Sequence, residues 1–188
     1  MPAFRRNLTL SERALIDIAT ACTEVYKKEA IGLLIGVKHK KHYMVRDAIN
    51  FQSAIRGYEY VNVPSIRINR VNYVLSRLTD LRVVGDFHSH PDFPSRLSPT
   101  DKKDVKKGGL ALTILVVLNR IKRKAHGWKA KDKGIVGDIG NRYHMKIMAF
   151  EYDRKLEKFN KIKIVCPSLR KINRQLREKE KTRKTKTR

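Results

Sequence analysis

The chain has 188 residues, of which 41% are hydrophobic, so it is long and apolar enough for one core and is not disordered throughout. Its 43 Lys and Arg against 18 Asp and Glu give a net charge of +25, which predicts an anionic partner. The longest nearly apolar run, Leu110–Leu118, is much shorter than the roughly 20 residues of a membrane-spanning helix. Cys22 and Cys166 form no CxxC motif or disulfide framework, so we expect a cytoplasmic protein with no membrane association.

Helical and extended patterns alternate in the first half of the chain. Ser11 is a candidate N-cap for a helix that runs to about Tyr26, and apolar spacing predicts a second helix over Ser65–Leu81. The basic turn Lys38–Lys41 predicts a hairpin between the first two strands. The strands predicted in this half are Glu29–Gly36, His42–Val45 and Tyr58–Val63.

The second half is predicted to be mostly strand. Ser98 to Asp101 opens a short helix that ends at Gly108, and the most apolar strand is expected at the centre of the sheet. Arg120–Lys133 is polar and is interpreted as an excursion or a ragged hairpin. The order of elements favours an α+β or α/β domain around one sheet. The strands predicted in this half are Arg82–His90, Leu110–Leu118, Tyr143–Tyr152 and Phe159–Val165.

The composition changes after Pro167, which suggests a domain over residues 1–167 and a basic C-terminal tail over 168–188. Residues 169–188 contain ten Lys or Arg and two Glu, a net charge of +8. The first half of this tail has the spacing of a basic amphipathic helix, and the second half is expected to be disordered. The tail is either a solvated, solubilising segment or a surface that binds RNA, DNA or an acidic protein.

The segment His88-Ser-His90-Pro91 carries the clearest chemical signal. Residues i and i+2 of a strand point to the same face, so both imidazoles can bind one metal ion. Asp101 is a candidate third ligand, because the loop after Pro91 is long enough to fold the helix start back over the strand end. Zinc lowers the pKa of a bound water from about 15.7 to roughly 7, which supplies hydroxide near neutral pH.

Hydrolysis at such a metal also needs a carboxylate that carries a proton and a donor for the oxyanion. Glu29, at the start of the first predicted strand, is the candidate proton carrier to the leaving amine. Ser98 is the candidate donor to the oxyanion of the tetrahedral intermediate.

Each of these residues also has an ordinary structural explanation. His88 and His90 can be polar residues on the wet face of an edge strand. Ser98 and Asp101 match the cap of a helix with proline in its first turn, and Glu29 is one of 18 acidic residues. The joint pattern favours a metal site, because the separate explanations would all have to coincide.

The same residues resemble the motif of the JAMM (MPN+) metalloproteases. Seven residues separate His90 from Ser98, two separate Ser98 from Asp101, and Glu29 precedes a Gly-containing apolar strand, as in that family. The resemblance extends over roughly residues 10–165, and we expect an archaeal-type member. It implies a curved mixed β-sheet flanked by helices, similar to the cytidine deaminases. It also implies that His88, His90 and Asp101 bind Zn²⁺, that Glu29 is the general acid/base and that Ser98 stabilises the oxyanion.

The resemblance implies a zinc isopeptidase that hydrolyses amide bonds at the C-terminus of ubiquitin-like modifiers. Its substrates would be modifier conjugates or other proteins. Processing of a sulfur-carrier precursor, or cleavage of a small amide, is an alternative within the same chemistry. A nucleic-acid- or ribosome-associated protein that uses the MPN domain as a binding scaffold is an alternative from another class.

A second basic cluster, from Arg120 to Lys133, follows the strand predicted to be central. It is either a solvated hairpin or a positive loop near the active site that suits an acidic protein substrate. Trp128, within this cluster, is interpreted as a substrate-facing aromatic residue, with a place in the core as the alternative. The remaining histidines lack metal spacing and are interpreted as surface or structural residues: His39, His42, His126 and His144.

Overall fold

The structure is a computed structural model that describes residues 6–40, 42–51, 55–56, 61–62, 65–92 and 94–186. These residues form eleven strands and four helices in a mixed α+β fold. In chain order the elements are β1 (Asn7–Leu10), α1 (Glu12–Glu24), β2 (Ile31–His39), β3 (His42–Asn50), β4 (Ile55–Arg56), β5 (Val61–Asn62), α2 (Ser65–Leu78), β6 (Arg82–Pro91), α3 (Pro99–Lys107), β7 (Leu112–Arg120), β8 (Lys129–Lys131), β9 (Gly134–Ile139), β10 (Tyr143–Asp153), β11 (Lys158–Val165) and α4 (Leu169–Lys186).

Nine of the described strands form one mixed sheet in the order β11-β1-β3-β2-β6-β7-β10-β9-β8. The C-terminal half of β10 also pairs with β11, so the sheet curls back on itself. The most apolar strand, β7, lies between β6 and β10, which confirms its predicted central place. The β2–β3 hairpin and the curved mixed sheet are confirmed as well.

The two faces of this sheet have different roles. We call the face that carries Leu34, Phe87 and Ile114 the core face, because its side chains pack with α1 and with the apolar side of α4. The face that carries His88, His90 and Val117 is the site face. Apolar residues of α2 pack on this face beside β2, in a cluster with Leu33 and Ile35.

The helix ends follow local signals in the sequence. Ser11 caps α1 by accepting a hydrogen bond from the Ala14 N–H at 3.0 Å. α4 continues to Lys186, well beyond the amphipathic half of the tail that its apolar spacing predicts. None of the helices in the described part of the chain has the length and apolar character needed to cross a membrane.

Strands β1, β4 and β9 were not predicted. β1 is only four residues long, and its place is fixed by parallel pairing with β3 and β11, which are distant in sequence. β9 contains Gly134 and Gly137, which resemble a turn, but both glycines allow close approach inside the sheet. A Cβ at Gly137 would lie 2.2 Å from the Trp128 indole, and one at Gly134 would lie 2.3 Å from the Ile147 carbonyl oxygen.

The strand predicted over Tyr58–Val63 falls mostly outside the described residues. Its described part, Val61–Asn62, is β5 and pairs with β4 in a separate two-stranded sheet. Within Arg120–Lys133, residues 129–131 form β8, which pairs with β9 at the sheet edge, so this segment is in part a hairpin.

Candidate metal centre

Strand β6 places the two histidines of the motif on one face. His88 pairs with Leu115 and His90 pairs with Val117 of the parallel neighbour β7. The alternation of side chains along β6 therefore puts both imidazoles on the site face, with ring centroids 5.2 Å apart. Each residue is 7% exposed, so the pair is buried near the strand end and is not on a wet edge.

Helix α3 brings the third residue of the motif to this pair. Ser98 is its N-cap, and its Oγ accepts a hydrogen bond from the Asp101 N–H at 3.1 Å. The Asp101 carboxylate accepts one in return from the Ser98 N–H at 2.6 Å, which completes a capping box. The cap fixes the rotamer of Asp101, so the same carboxylate oxygen also faces the two imidazoles. Asp101 is therefore both part of the helix cap and a candidate metal ligand.

The ligand atoms of His88, His90 and Asp101 all lie within 4.8 Å of one another. The Asp101 Oδ2 is 3.3 Å from the His90 Nε2 and 3.6 Å from the His88 Nε2. Ligand atoms about 2.1 Å from a tetrahedral zinc ion lie about 3.4 Å from one another. The His88 Nε2 is buried, and no residue in the described part of the chain hydrogen-bonds to it. An orphaned imidazole nitrogen at this spacing fits a metal site better than a hydrogen-bonded cluster.

The electrostatics of the three residues favour a bound cation. Burial by itself raises the pKa of Asp101, but the two imidazoles and the Ser98 N–H outweigh it and hold that pKa well below its usual range. Burial lowers the pKa of His88, and the negative charge of Asp101 outweighs that effect and raises it. The His90 Nδ1 lies 3.5 Å from the Pro94 carbonyl oxygen, which favours the tautomer whose Nε2 lone pair faces the Asp101 carboxylate.

Glu29 lies beside this group, two residues before the start of β2. It is 6% exposed, and its Oε1 is 3.7 Å from the His90 Nε2. A residue that sequence reasoning missed, Ser89, fixes this position. Its N–H donates to the Ala30 carbonyl at 2.9 Å, and its Oγ accepts from the Ala30 N–H at 2.8 Å. A buried serine between two histidines of a strand is the signal that could have identified it, because it points to the core face.

Ser98 and Glu29 both line a cleft of about 580 Å³ together with His90. The capping hydrogen bond uses the Ser98 Oγ as an acceptor, which leaves its own hydrogen available to donate. The loop from Pro94 to Ser98 forms a wall of this cleft, and its Leu97 packs on Leu115 and Val117 of β7. All five predicted site residues are therefore brought together at one end of the β6–β7 pair.

The prediction of a substrate-facing role for Trp128 is wrong. Trp128 is 7% exposed and belongs to the main core cluster, where its indole covers Gly137 of β9. Its backbone is held by Asn173 of α4, which accepts from the Trp128 N–H at 2.7 Å and donates to the Trp128 carbonyl at 2.8 Å. Glycine at position 137 leaves the space that the indole fills, which sequence spacing does not reveal.

Residues 11–131 match the family described as prokaryotic homologs of the JAB domain. The chain belongs to this family. The matched segment covers more than half of the JAB-domain chain and includes the metal-site residues and Glu29. The match does not support the narrower expectation of an archaeal-type member.

The fold of this JAB domain is also found in a solved structure. It resembles the solution structure of protein DSY2949 from Desulfitobacterium hafniense, with a TM-score of 0.58 and 16% sequence identity. The similarity covers 85% of this chain and 92% of DSY2949. At this identity the likeness supports the fold alone. No curated protein matches the sequence.

Proposed function

We propose that the protein is a zinc-dependent isopeptidase or peptidase that hydrolyses the amide at the C-terminus of a ubiquitin-like modifier. The observation that carries the proposal is the convergence of His88, His90 and Asp101 at metal-ligand spacing, with Glu29 beside His90. Membership of the JAB-domain family supports metallohydrolase chemistry of this kind.

In this proposal His88, His90 and Asp101 hold the metal. When bound, a zinc ion polarises the carbonyl of the scissile amide and lowers the pKa of water. Glu29 takes a proton from the attacking water as the C–O bond forms and gives a tetrahedral intermediate. It then transfers that proton to the amine nitrogen, so that the C–N bond breaks and the amine leaves in its neutral form. The Ser98 Oγ–H donates a hydrogen bond to the oxygen that carries the developing negative charge.

The burial of Glu29 suits this proton transfer. Glu29 is 6% exposed, so little bulk water competes for the proton that it carries, and its Oε1 lies 3.7 Å from the His90 Nε2, beside the three candidate ligands. Ser89 acts as a positioning residue, because it fixes the Ala30 backbone next to Glu29.

The test is hydrolysis of a modifier joined through its C-terminal glycine to a lysine side chain, measured with zinc-loaded protein. Glu29→Gln keeps the shape of the side chain and removes its base, so the rate should fall about 10²–10⁴-fold while zinc remains bound. Glu24→Gln is the matched control, because Glu24 lies at the exposed end of α1. Full activity of Glu29→Gln would reject the mechanism, and zinc-free protein after careful metal loading would reject the site.

A second proposal, for a binding function, concerns α4, the helix that the basic tail forms. Leu169, Ile172 and Leu176 pack against the core cluster, and the C-terminal part of the helix that follows them begins with the exposed residues Arg177 and Lys179. We propose that this end binds nucleic acid or a ribosomal surface through phosphate contacts. Its core-packed half makes deletion of the whole tail a poor test, because deletion would uncover apolar residues.

The sharper test neutralises charges in the full chain. Arg177→Gln and Lys179→Gln should lower the slope of log affinity against log salt by about 0.7–0.9 for each phosphate that the protein no longer neutralises. Binding of RNA or duplex DNA with an unchanged slope would reject this second proposal. It would leave the hydrolytic proposal untouched.

A further inference from the structure

A second cavity opens on the site face, on the other side of the loop from Pro94 to Ser98. It has a volume of about 630 Å³ and is lined by residues from β7, β8, β9 and β10 together with Ser95, His126 and Gly127. We call it the lysine basin, because Lys129, Lys131 and Lys146 are among the residues that line it.

Strand register places the lysine basin in line with the metal centre. His90 pairs with Val117, Val117 with Lys146, Lys146 with Val136 and Val136 with Lys129. Paired residues point to the same face, so this row runs across the site face from the metal centre into the basin. Adjacent strands lie about 4.8 Å apart, so Lys146 is about 10 Å and Lys129 about 19 Å from His90 along the sheet.

The accessible charge of the basin is positive. Its one lining carboxylate among the described residues, Asp138, has a side chain that is 0% exposed. Asp138 accepts hydrogen bonds from Arg123 at 2.7 Å and from the His126 N–H at 2.7 Å, and it pairs with His144 at 2.6 Å. It therefore does not neutralise the lysines. Partial burial and the charge of Lys146 lower the pKa of the neighbouring Lys161, which agrees with a concentration of positive potential.

The basin and the metal cleft share one wall. Lys146 donates a hydrogen bond to the Ser95 Oγ at 3.1 Å, and the loop that carries Ser95 also lines the cleft through Pro94 and Leu97. An extended peptide advances about 3.3 Å per residue, so a chain that crosses this loop meets Lys146 about three residues from the cleft and Lys129 about six.

Resting on the proposed hydrolytic function, we propose that the lysine basin binds acidic side chains of the peptide substrate about three to six residues from the scissile amide. Carboxylates fit better than nucleic acid, because no Phe, Tyr or Trp that could stack on a base is among the described lining residues. The basic helix α4 instead packs against the core cluster, so it is not part of this row.

The test uses two amide-linked peptides that differ only at positions three to six from the scissile bond, with Glu in one and Gln in the other. The Glu peptide should have a KM about tenfold lower at low salt, since two or three exposed ion pairs each contribute a factor of roughly 1.5–5. The double variant Lys129→Gln, Lys131→Gln should remove most of the difference, because only Lys146 of the three basin lysines then remains. Lys155→Gln, which removes an exposed lysine from the turn after β10, should preserve it.

Binding measurements separate this inference from the proposed function. Fluorescence anisotropy with the Glu29→Gln variant should show the same preference for the Glu peptide without hydrolysis. A preference that depends on Lys129 and Lys131 would support the basin even if no amide is cleaved. Equal KM values and equal binding for the two peptides would overturn the inference, as would an oligonucleotide that displaces the Glu peptide and depends on the same lysines.

Discussion

Two aspartates near the site face, Asp101 and Asp138, each lie among histidines, but they differ in the distances to their neighbours. Asp138 is saturated by direct hydrogen bonds, with Arg123, the His126 N–H and His144 all within 2.6–2.7 Å of its oxygens. Asp101 has its N-cap hydrogen bond, but its two imidazole neighbours are 3.3 and 3.6 Å away. The first spacing closes a polar cluster, whereas the second leaves room for an ion. Distance and an orphaned nitrogen, and not residue type, distinguish the two clusters.

The largest effect is expected when the charge of each aspartate is removed in turn. Asp101→Asn keeps an oxygen for the Ser98 cap but loses a ligand, so bound zinc should fall at least about tenfold and hydrolysis about 10³-fold or more. Asp138→Asn should retain both. Elemental analysis and rates on the amide-linked conjugate measure the effect. Equal zinc content in the two variants would contradict the distinction.

A smaller effect is expected at Ser98, where capping and chemistry coincide. Ser98→Ala should lower kcat about 10²–10³-fold with zinc retained, because it removes a donor to the oxyanion. It should also cost about 1 kcal/mol of unfolding free energy through the lost cap. Ser11→Ala, which removes the equivalent cap of α1, is the control and should show only the stability loss. If both variants keep full kcat, Ser98 is a cap and nothing more.

The Asp138 cluster should contribute to the free energy of unfolding. Asp138→Ala leaves Arg123 and His144 without their partner and should lower the free energy of unfolding by about 2–3 kcal/mol, measured by urea denaturation.

The Asp138 cluster should also have a pH signature. Burial raises the pKa of Asp138, but its hydrogen bonds and Arg123 outweigh burial and lower it. Below about pH 4, the ordinary Asp pKa, the unfolded chain binds more protons than the folded one, so this contribution is lost as the pH falls. The stability gap between the wild type and Asp138→Asn should therefore narrow from pH 5 to the folded-state pKa. A gap that widens on acidification would contradict the cluster as described.

The smallest effect is expected at Asn173, which joins α4 to the loop that ends in β8. Asn173→Ala removes two hydrogen bonds to the Trp128 backbone and should cost about 1–2 kcal/mol. Because Trp128 is the single tryptophan of the chain, its fluorescence reports the change directly. Lys171→Ala, which removes an exposed ion pair with Glu12, should cost less than about 1 kcal/mol. Zinc content should be the same in both variants.

Features that depend on local periodicity could be predicted from the order of residues alone. Alternation along a strand placed His88 and His90 on one face, and the three-residue spacing of a helix cap joined Ser98 to Asp101. The apolar run of β7 is also a local feature. It indicated a central strand, because no charged residue interrupts it. The family motif connected Glu29 to these residues, since no local pattern links it to a strand about sixty residues away.

Features that depend on pairing between distant segments became visible only in the folded chain. β1 is a strand because β3 and β11 pair with it, and β9 is a strand because its glycines let Trp128 and Ile147 approach. The row from His90 to Lys129 exists because four strand registers align, which composition alone does not specify. The basic strand β8 is part of the site face because it pairs with β9 and because the Trp128 indole packs on Gly137. Both interactions are non-local.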